Sequence, residues 1–153
     1  ESQLGDADRD LKTLLGRTKG ERPWQIRDEL GATMFENFGV FRREQKMLTA
    51  IDDVDALRER YANVLVEDKG DVFNNDLTQA IELGNAIDLG AAMLTAGVAR
   101  KESRGAHSRP YDFPTRDDEN FMKHSISRWG DGGPELSWKE VRYTKYDPME
   151  RTY

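Results

Sequence analysis

The residues best suited to chemistry are concentrated between positions 100 and 116, the most basic stretch of an otherwise acidic chain. A planar guanidinium matches the geometry of carboxylates and phosphates, so arginines there could bind an anionic ligand or contact a partner protein. Acidic residues between positions 112 and 119 could equally balance a run of charges that lies in solvent. Both interpretations, a solvated charge run and an anion-binding or docking surface, remain open on these residues alone. The cations are Arg100, Lys101, Arg104, Arg109 and Arg116, with His107 among them.

The residues themselves predict no catalytic, metal-binding or cofactor-binding residue. The absence of cysteine excludes a disulfide, a thiolate nucleophile and a cysteine-ligated zinc or iron–sulfur site. His107 and His124 are the only histidines, too few for a zinc site. Ser103 and Ser108 lie near His107, but no Gly-x-Ser-x-Gly nucleophile motif surrounds them. No glycine-rich phosphate-binding motif follows a predicted strand either.

Length and charge narrow the class of protein further. The chain has 153 residues, with 23 Lys and Arg against 29 Asp and Glu, a net charge of −6. An acidic chain of this kind is not expected to bind nucleic acid generally. No apolar run approaches the roughly 18 residues of a membrane-spanning helix. The chain begins at Glu1 with no Met and no signal segment, which indicates a piece of a longer protein, although processing or tag removal would give the same start.

Hydrophobic periodicity predicts three helices after a polar lead-in, residues 1–22, where only a helical turn around 8–15 is expected. The first helix begins at Pro23, which suits a first helical turn, and ends at Gly39. The second spans about 41–66. The third begins near Asn75 or Asp76, either of which could cap it, and its many small residues would let neighbouring helices approach closely. Three amphipathic helices with short connections predict a mainly α fold, an antiparallel, spectrin-repeat-like three-helix bundle over residues 23–100.

Residues 101–153 are predicted to form a strap, a hairpin and a tail. The strap, residues 101–118, contains two prolines and little apolar content, so we expect an extended, charged segment on the surface. Residues 120–129 and 136–144 are predicted as two strands of a C-terminal β-hairpin. The glycine-rich segment 130–134 between them indicates a turn. The tail is expected to be irregular.

The strap also carries a family resemblance. The stretch 100–109, Arg-Lys-Glu-Ser-Arg-Gly-Ala-His-Ser-Arg, closely resembles the C-terminal region of the succinate dehydrogenase/fumarate reductase flavoprotein subunit. The stretches 112–114, 116–121 and 123–125 continue the similarity. Residues 36–42, Glu-Asn-Phe-Gly-Val-Phe-Arg, resemble the junction between the first two bundle helices of that family. The ending Arg151-Thr152-Tyr153 resembles its tail, so the similarity spans about 23–153.

The resemblance implies a larger protein around this chain. The family's full subunit binds FAD and interconverts succinate and fumarate, with the active site and flavin contacts in domains that precede this region. No catalytic or cofactor-binding residue carries over to this sequence, and no cofactor is expected in the fragment itself. The implied partners are the subunit's own N-terminal flavin domain, an iron–sulfur subunit and, indirectly, membrane-anchor subunits. The implied location is peripheral, on the cytoplasmic side of a bacterial inner membrane.

Within this resemblance, the strap is expected to dock the chain on the flavin domain through charge-assisted contacts. One alternative is the C-terminal domain of L-aspartate oxidase, which shares the Glu-Ser-Arg-Gly-x-His core but usually lacks the Asn-Phe-x-Lys-His-Ser stretch and the tail found here. Another is a free-standing helical interaction module. The candidate docking residues are Glu102, Arg104, His107, Arg109, Arg116 and Arg151.

Overall fold

The computed structural model, which describes residues 2–149, places the three expected helices side by side. α3 packs against both α2 and α4, and α2 also contacts α4, which confirms the predicted bundle. The elements in chain order are α1 (Ser2–Gly16), α2 (Pro23–Asn37), α3 (Glu44–Tyr61), α4 (Asn75–Ala99), α5 (Asp118–Phe121), β1 (Lys123–Gly130) and β2 (Gly133–Glu140).

The core of the bundle is one cluster of buried apolar residues. α2, α3 and α4 each contribute an apolar stripe that the other two helices cover, as the helical period predicts. Gly97 of α4 packs directly on the Phe38 ring, so a side chain there would overlap it. The small residues of α4 therefore allow the predicted close approach. The buried residues are Ile26, Leu30, Phe38, Met47, Ala50, Val54, Leu57, Leu83, Ile87, Ala91 and Leu94.

The lead-in is more regular than the sequence indicated. Its predicted single turn is instead the 15-residue helix α1. Most of α1 is exposed, which is why its apolar pattern is weak, but Leu14 is buried in a second small core with Val64, Val66 and Ala80. Exposed ion pairs such as Lys12–Asp8, at 2.5 Å, link successive turns of this helix.

The second helix is shorter than predicted at both ends. Phe41 is extended and forms a bridge with Ser108, so α3 begins only at Glu44. After Tyr61 the chain leaves the helix, and Val64 forms a parallel bridge with Glu21. Apolar residues beyond Tyr61 therefore fit a helical period by coincidence, because the second core buries them in extended backbone.

The cap of α4 also differs from both predictions. The Asn74 side chain accepts a hydrogen bond of 2.8 Å from the Leu77 N–H, which makes Asn74 the cap. The Asp76 carboxylate instead accepts from the backbone N–H groups of Glu67 and Asp68, at 2.5 and 3.3 Å. Asp76 thus holds the preceding loop against the helix start.

The strap is not extended throughout, because it folds into two turns. Backbone bridges join Arg104 to His107 and Arg109 to Phe113. Gly105 adopts a φ of 57°, a left-handed conformation that glycine tolerates readily. These turns shorten the strap and bring its charged side chains back onto the ends of α3 and α4.

The predicted hairpin is confirmed, with shifted strand ends. β1 and β2 pair antiparallel from Lys123 opposite Glu140 to Gly130 opposite Gly133, and both strands lie on α4. The first strand begins later than predicted because residues 118–121 form the single turn α5, capped by Asp117. Among the described residues, no helix has the length and apolar character that crossing a membrane requires.

Candidate functional site

A buried carboxylate organises the strap. Glu102 is fully buried and accepts four hydrogen bonds. Arg100 Nη1 donates at 2.6 Å, and Arg104 donates through Nε at 2.9 Å and through Nη2 at 3.0 Å. The backbone N–H of Asp117 donates the fourth, at 3.0 Å. Burial alone would raise the pKa of Glu102, but these donors outweigh it and leave the pKa below its usual value of 4.5.

Arg100 connects this carboxylate to the hairpin. Its Nη1 also donates to the Phe121 carbonyl at 2.9 Å, and its Nη2 donates to the Lys123 carbonyl at 2.7 Å and to Ser125 Oγ at 2.9 Å. The guanidinium lies 5.0 Å from the centroid of the Trp138 ring. One arginine at the end of α4 therefore fixes the start of the strap and both strands of the hairpin.

Arg109 fastens the strap to the bundle. Its side chain is fully buried, with the guanidinium 4.6 Å from the Phe113 ring centroid. Nη1 donates to the Val98 carbonyl at the end of α4, at 3.1 Å. Nη2 donates to Glu44 at the start of α3 at 2.8 Å and to Asp112 at 3.1 Å. Arg109 therefore joins two helix ends and the strap at one point.

His107 is held as a neutral imidazole. Its Nε2 lies 3.0 Å from the Arg100 carbonyl, which can only accept, so the ring proton is on Nε2. Nδ1 then accepts from Arg42 Nη1 at 2.7 Å. Burial lowers the pKa of His107 below 6.5, and the charges of Arg42, Arg109 and Arg100 lower it further, while the hydrogen bond to the Arg100 carbonyl opposes both.

The remaining predicted docking residues lie nearer to solvent. Arg104 donates to Asp118 Oδ1 at 2.6 Å, and Arg116 donates to Asp118 Oδ2 at 2.8 Å. The hydrogen bond from Arg104 lowers the pKa of Asp118. The side chain of Arg116 is about a third exposed, at 32%. Arg151 lies outside the described residues.

The structure gives Ser103 of the strap a structural role. Ser103 Oγ donates to the Phe113 carbonyl at 2.7 Å and accepts from the Arg109 N–H at 2.8 Å. It stabilises a turn, while the ring nitrogens of His107 bond to Arg42 and Arg100 instead. A Ser–His nucleophile pair is therefore not formed between these residues. Within residues 2–149, no group of three or more acidic or histidine side chains is placed to hold a metal ion.

Comparison with known proteins shows to which family this chain is similar. The family described as "Fumarate reductase flavoprotein C-term" matches residues 27–153. The chain belongs to this family. The predicted resemblance is thereby confirmed, from bundle to tail. A fumarate reductase flavoprotein C-terminal domain is thus a three-helix bundle with a folded strap and a hairpin on its last long helix.

The relatives of this domain are parts of much longer proteins. The fumarate reductase flavoprotein subunit of Escherichia coli is 39% identical over 155 residues, which cover all of this chain and 26% of the relative. The succinate dehydrogenase flavoprotein subunit of Coxiella burnetii is 42% identical over 106 residues, 69% of this chain and 18% of the relative. The chain thus spans about a quarter or less of the curated relatives it matches.

Solved structures support the same assignment. The quinol fumarate reductase of Escherichia coli superposes with a TM-score of 0.90 at 36% identity, covering 97% of this chain and 26% of that one. The Mycobacterium smegmatis Sdh1 complex in the apo form gives a TM-score of 0.82 at 29% identity, over 95% and 25% of the two chains. These findings do not favour the L-aspartate oxidase alternative or a free-standing helical module.

The predicted docking set leaves out three residues of the site. Arg42, Arg100 and Glu44 bond to His107, Glu102 and Arg109, which are three of the predicted docking residues. Arg42 could have been predicted, because it is the last residue of the junction motif 36–42, and a charged residue at the end of an apolar motif needs a partner. Nothing in the sequence pairs Glu44 with an arginine 65 positions later.

Proposed function

We propose that this chain is the C-terminal domain of a flavoprotein subunit that interconverts succinate and fumarate, and that it serves there as a structural and docking domain. The observation that supports the proposal is the family match over residues 27–153 in a chain that corresponds to only a quarter of its relatives. The reaction would then be carried out by the other three quarters of the subunit.

The residues described here do not fit an FAD site. A dinucleotide needs a glycine-rich turn between a parallel strand and a helix. The strands of residues 2–149 form only an antiparallel hairpin, closed by Asp131 and Gly132. FAD would therefore be bound by the preceding part of the subunit, and no step of the reaction is assigned to residues of this chain.

The docking role is divided between buried and accessible residues. Glu102 and Arg109 are fully buried, so they would act indirectly, by fixing the shape of the strap. Arg104, His107 and Arg116 keep part of their surface accessible and could contact the flavin domain directly. The proposal keeps Arg151 as a contact of the tail.

The wider assembly follows from the same proposal. Electrons from FAD would pass to an iron–sulfur subunit, with membrane-anchor subunits as indirect partners. The domain would then lie peripherally, on the cytoplasmic side of a bacterial inner membrane. The quinol fumarate reductase among its structural relatives supports this arrangement.

The test begins with the reading frame that encodes the chain. We expect sequence before Glu1 to encode a Gly-x-Gly-x-x-Gly turn after a strand. The full-length product should show flavin absorbance and oxidise succinate with an artificial electron acceptor, while the 153-residue chain should be colourless and inactive. A yellow chain, or one that turns over dicarboxylates by itself, would contradict the proposal.

A further inference from the structure

Arg42 is a rigidly oriented guanidinium next to the strap. Its Nε donates to the Gly39 carbonyl at 2.9 Å, and its Nη1 donates to His107 Nδ1 at 2.7 Å. The guanidinium carbon lies 3.8 Å from the centroid of the Phe38 ring. A side chain fixed by two hydrogen bonds and a ring has lost its rotamer freedom before any ligand binds.

This guanidinium has no carboxylate partner in the described part of the chain. Arg100, Arg104 and Arg109 each form an ion pair there, whereas the partners of Arg42 are a carbonyl and a neutral imidazole. Burial accordingly lowers the pKa of Arg42, with no acidic neighbour to offset it. A partly buried cation without a counter-ion is costly, so it marks a place where an anion would be stabilised.

Arg42 faces a cavity of about 270 Å³ at the junction of α2, α4, the strap and the hairpin. His107, Arg100 and Ser125 share its polar wall, and Phe38 and Met93 line its apolar side. Met93 is 42% exposed, and Leu89, one turn earlier on the same face of α4, is 61% exposed. An apolar stripe therefore leads along α4 to a cationic cavity.

We propose that this cavity receives the carboxylate of an Asp or Glu side chain from the polypeptide that precedes this chain in the full-length subunit, and that the carboxylate pairs with Arg42. The inference rests on the proposed function. Three observations select this occupant: the unpaired charge of Arg42, the apolar stripe beside it, and the three quarters of the relatives' length that lies outside this chain. The cavity volume of about 270 Å³ lies just below the range of about 300–1,000 Å³ that is typical of small-molecule pockets.

The experiment compares Arg42→Gln, Arg42→Lys and the control Arg43→Gln in two forms, the full-length subunit and the 153-residue chain. Arg43 is adjacent and exposed, and its guanidinium stacks on the Tyr111 ring at 3.7 Å. Amide hydrogen exchange over residues 100–109 reports how often the strap opens. Arg42→Gln removes the internal hydrogen bonds in both forms but can remove an external carboxylate contact only in the full-length subunit.

We expect Arg42→Gln to accelerate exchange about tenfold more in the full-length subunit than in the chain, the effect of one charge-assisted hydrogen bond. Arg42→Lys should restore part of the protection, because it keeps the charge but loses the planar fork. Arg43→Gln should change both forms equally. A further check is a charge exchange, in which an upstream Asp or Glu to Lys substitution restores the protection lost in Arg42→Glu.

Equal acceleration in both forms by Arg42→Gln would overturn the inference and leave Arg42 with an internal role only. So would protection of the full-length subunit that depends on added inorganic phosphate, since a free anion rather than a carboxylate of the subunit would then be the occupant. A reading frame with no dinucleotide-binding domain upstream would instead overturn the proposed function, which separates the two failures.

Discussion

Replacing Glu102 with glutamine should destabilise the whole strap. The substitution preserves the shape of the side chain but removes its charge and turns one acceptor into a donor that faces N–H groups. Glu102 accepts three hydrogen bonds from two arginines and one from the Asp117 backbone, all within a fully buried site. A hydrogen bond to a charged group contributes about 1.5–3 kcal/mol, and removing one partner of a buried ion pair costs about 3–5 kcal/mol.

The lower end of that range applies here, because both arginines keep other acceptors. Arg104 retains Asp118, and Arg100 retains two backbone carbonyls and Ser125. We therefore expect Glu102→Gln to lower the free energy of unfolding by about 3 kcal/mol. For a chain of this size the corresponding fall in melting temperature is about 6–12 °C.

Urea unfolding of the 153-residue chain, followed by circular dichroism, measures the effect. Glu119→Gln is the matched control, because Glu119 is exposed in α5 and its substitution should change stability by less than about 0.5 kcal/mol. The pKa of Glu102 is lowered in the fold, so its contribution is complete above pH 4.5 and is lost as the pH falls through the lower folded value. The gap between wild type and variant should therefore shrink in acid. Equal stability of Glu102→Gln and Glu119→Gln near neutral pH would refute the assignment of Glu102 as the organiser of the strap.

Four further substitutions test the packing of α4, the state of the His107 imidazole and the cap of α4. Gly97→Ala should lower the free energy of unfolding by about 1–3 kcal/mol, because the added methyl group would overlap the Phe38 ring. Gly31→Ala has open space around it and should stabilise α2 by up to about 1 kcal/mol. Equal melting temperatures of these two variants would contradict the packing of Gly97 on Phe38. Because the pKa of His107 is lowered in the fold, unfolding binds a proton, and the stability of the wild type should fall as the pH drops below 6.5. His107→Gln should reduce this fall when the urea midpoint is measured against pH. An unchanged pH dependence would argue against a buried neutral ring. Asn74→Ala should cost about 1 kcal/mol through loss of the α4 cap, measured by chemical denaturation. A neutral result would argue against Asn74 as the cap.

Periodicity predicted the helices well where one core buries each stripe. It failed after Tyr61, because Val64 and Val66 are buried by Leu14 of α1 rather than within α3. The same contact explains why α1 was not predicted in full. Its apolar face is short, and Leu14 is buried only by residues that are distant in sequence. Local pattern thus identified the bundle, while the second core depends on contacts between segments far apart in sequence.

The sequence predicted where the site lies, but not which of its residues contact one another. The concentration of arginines drew attention to the strap, and the family resemblance indicated a docking role. Sequence alone could not show that Glu102 and Arg109 are buried, because each depends on partners that the turns of the strap bring together. Arg109 in particular requires Glu44 and the Val98 carbonyl, which become neighbours only when α3 and α4 pack.

The burial of Arg109 also sets an order of assembly. Closing the 65-residue span back to Glu44 has an entropic cost that the strap cannot offset until α3 and α4 hold both acceptors in position. The strap also leaves the ribosome after both helices, so it can complete its turns on a bundle that has already collapsed. Any surface that the strap presents therefore forms only after α3 and α4 have packed.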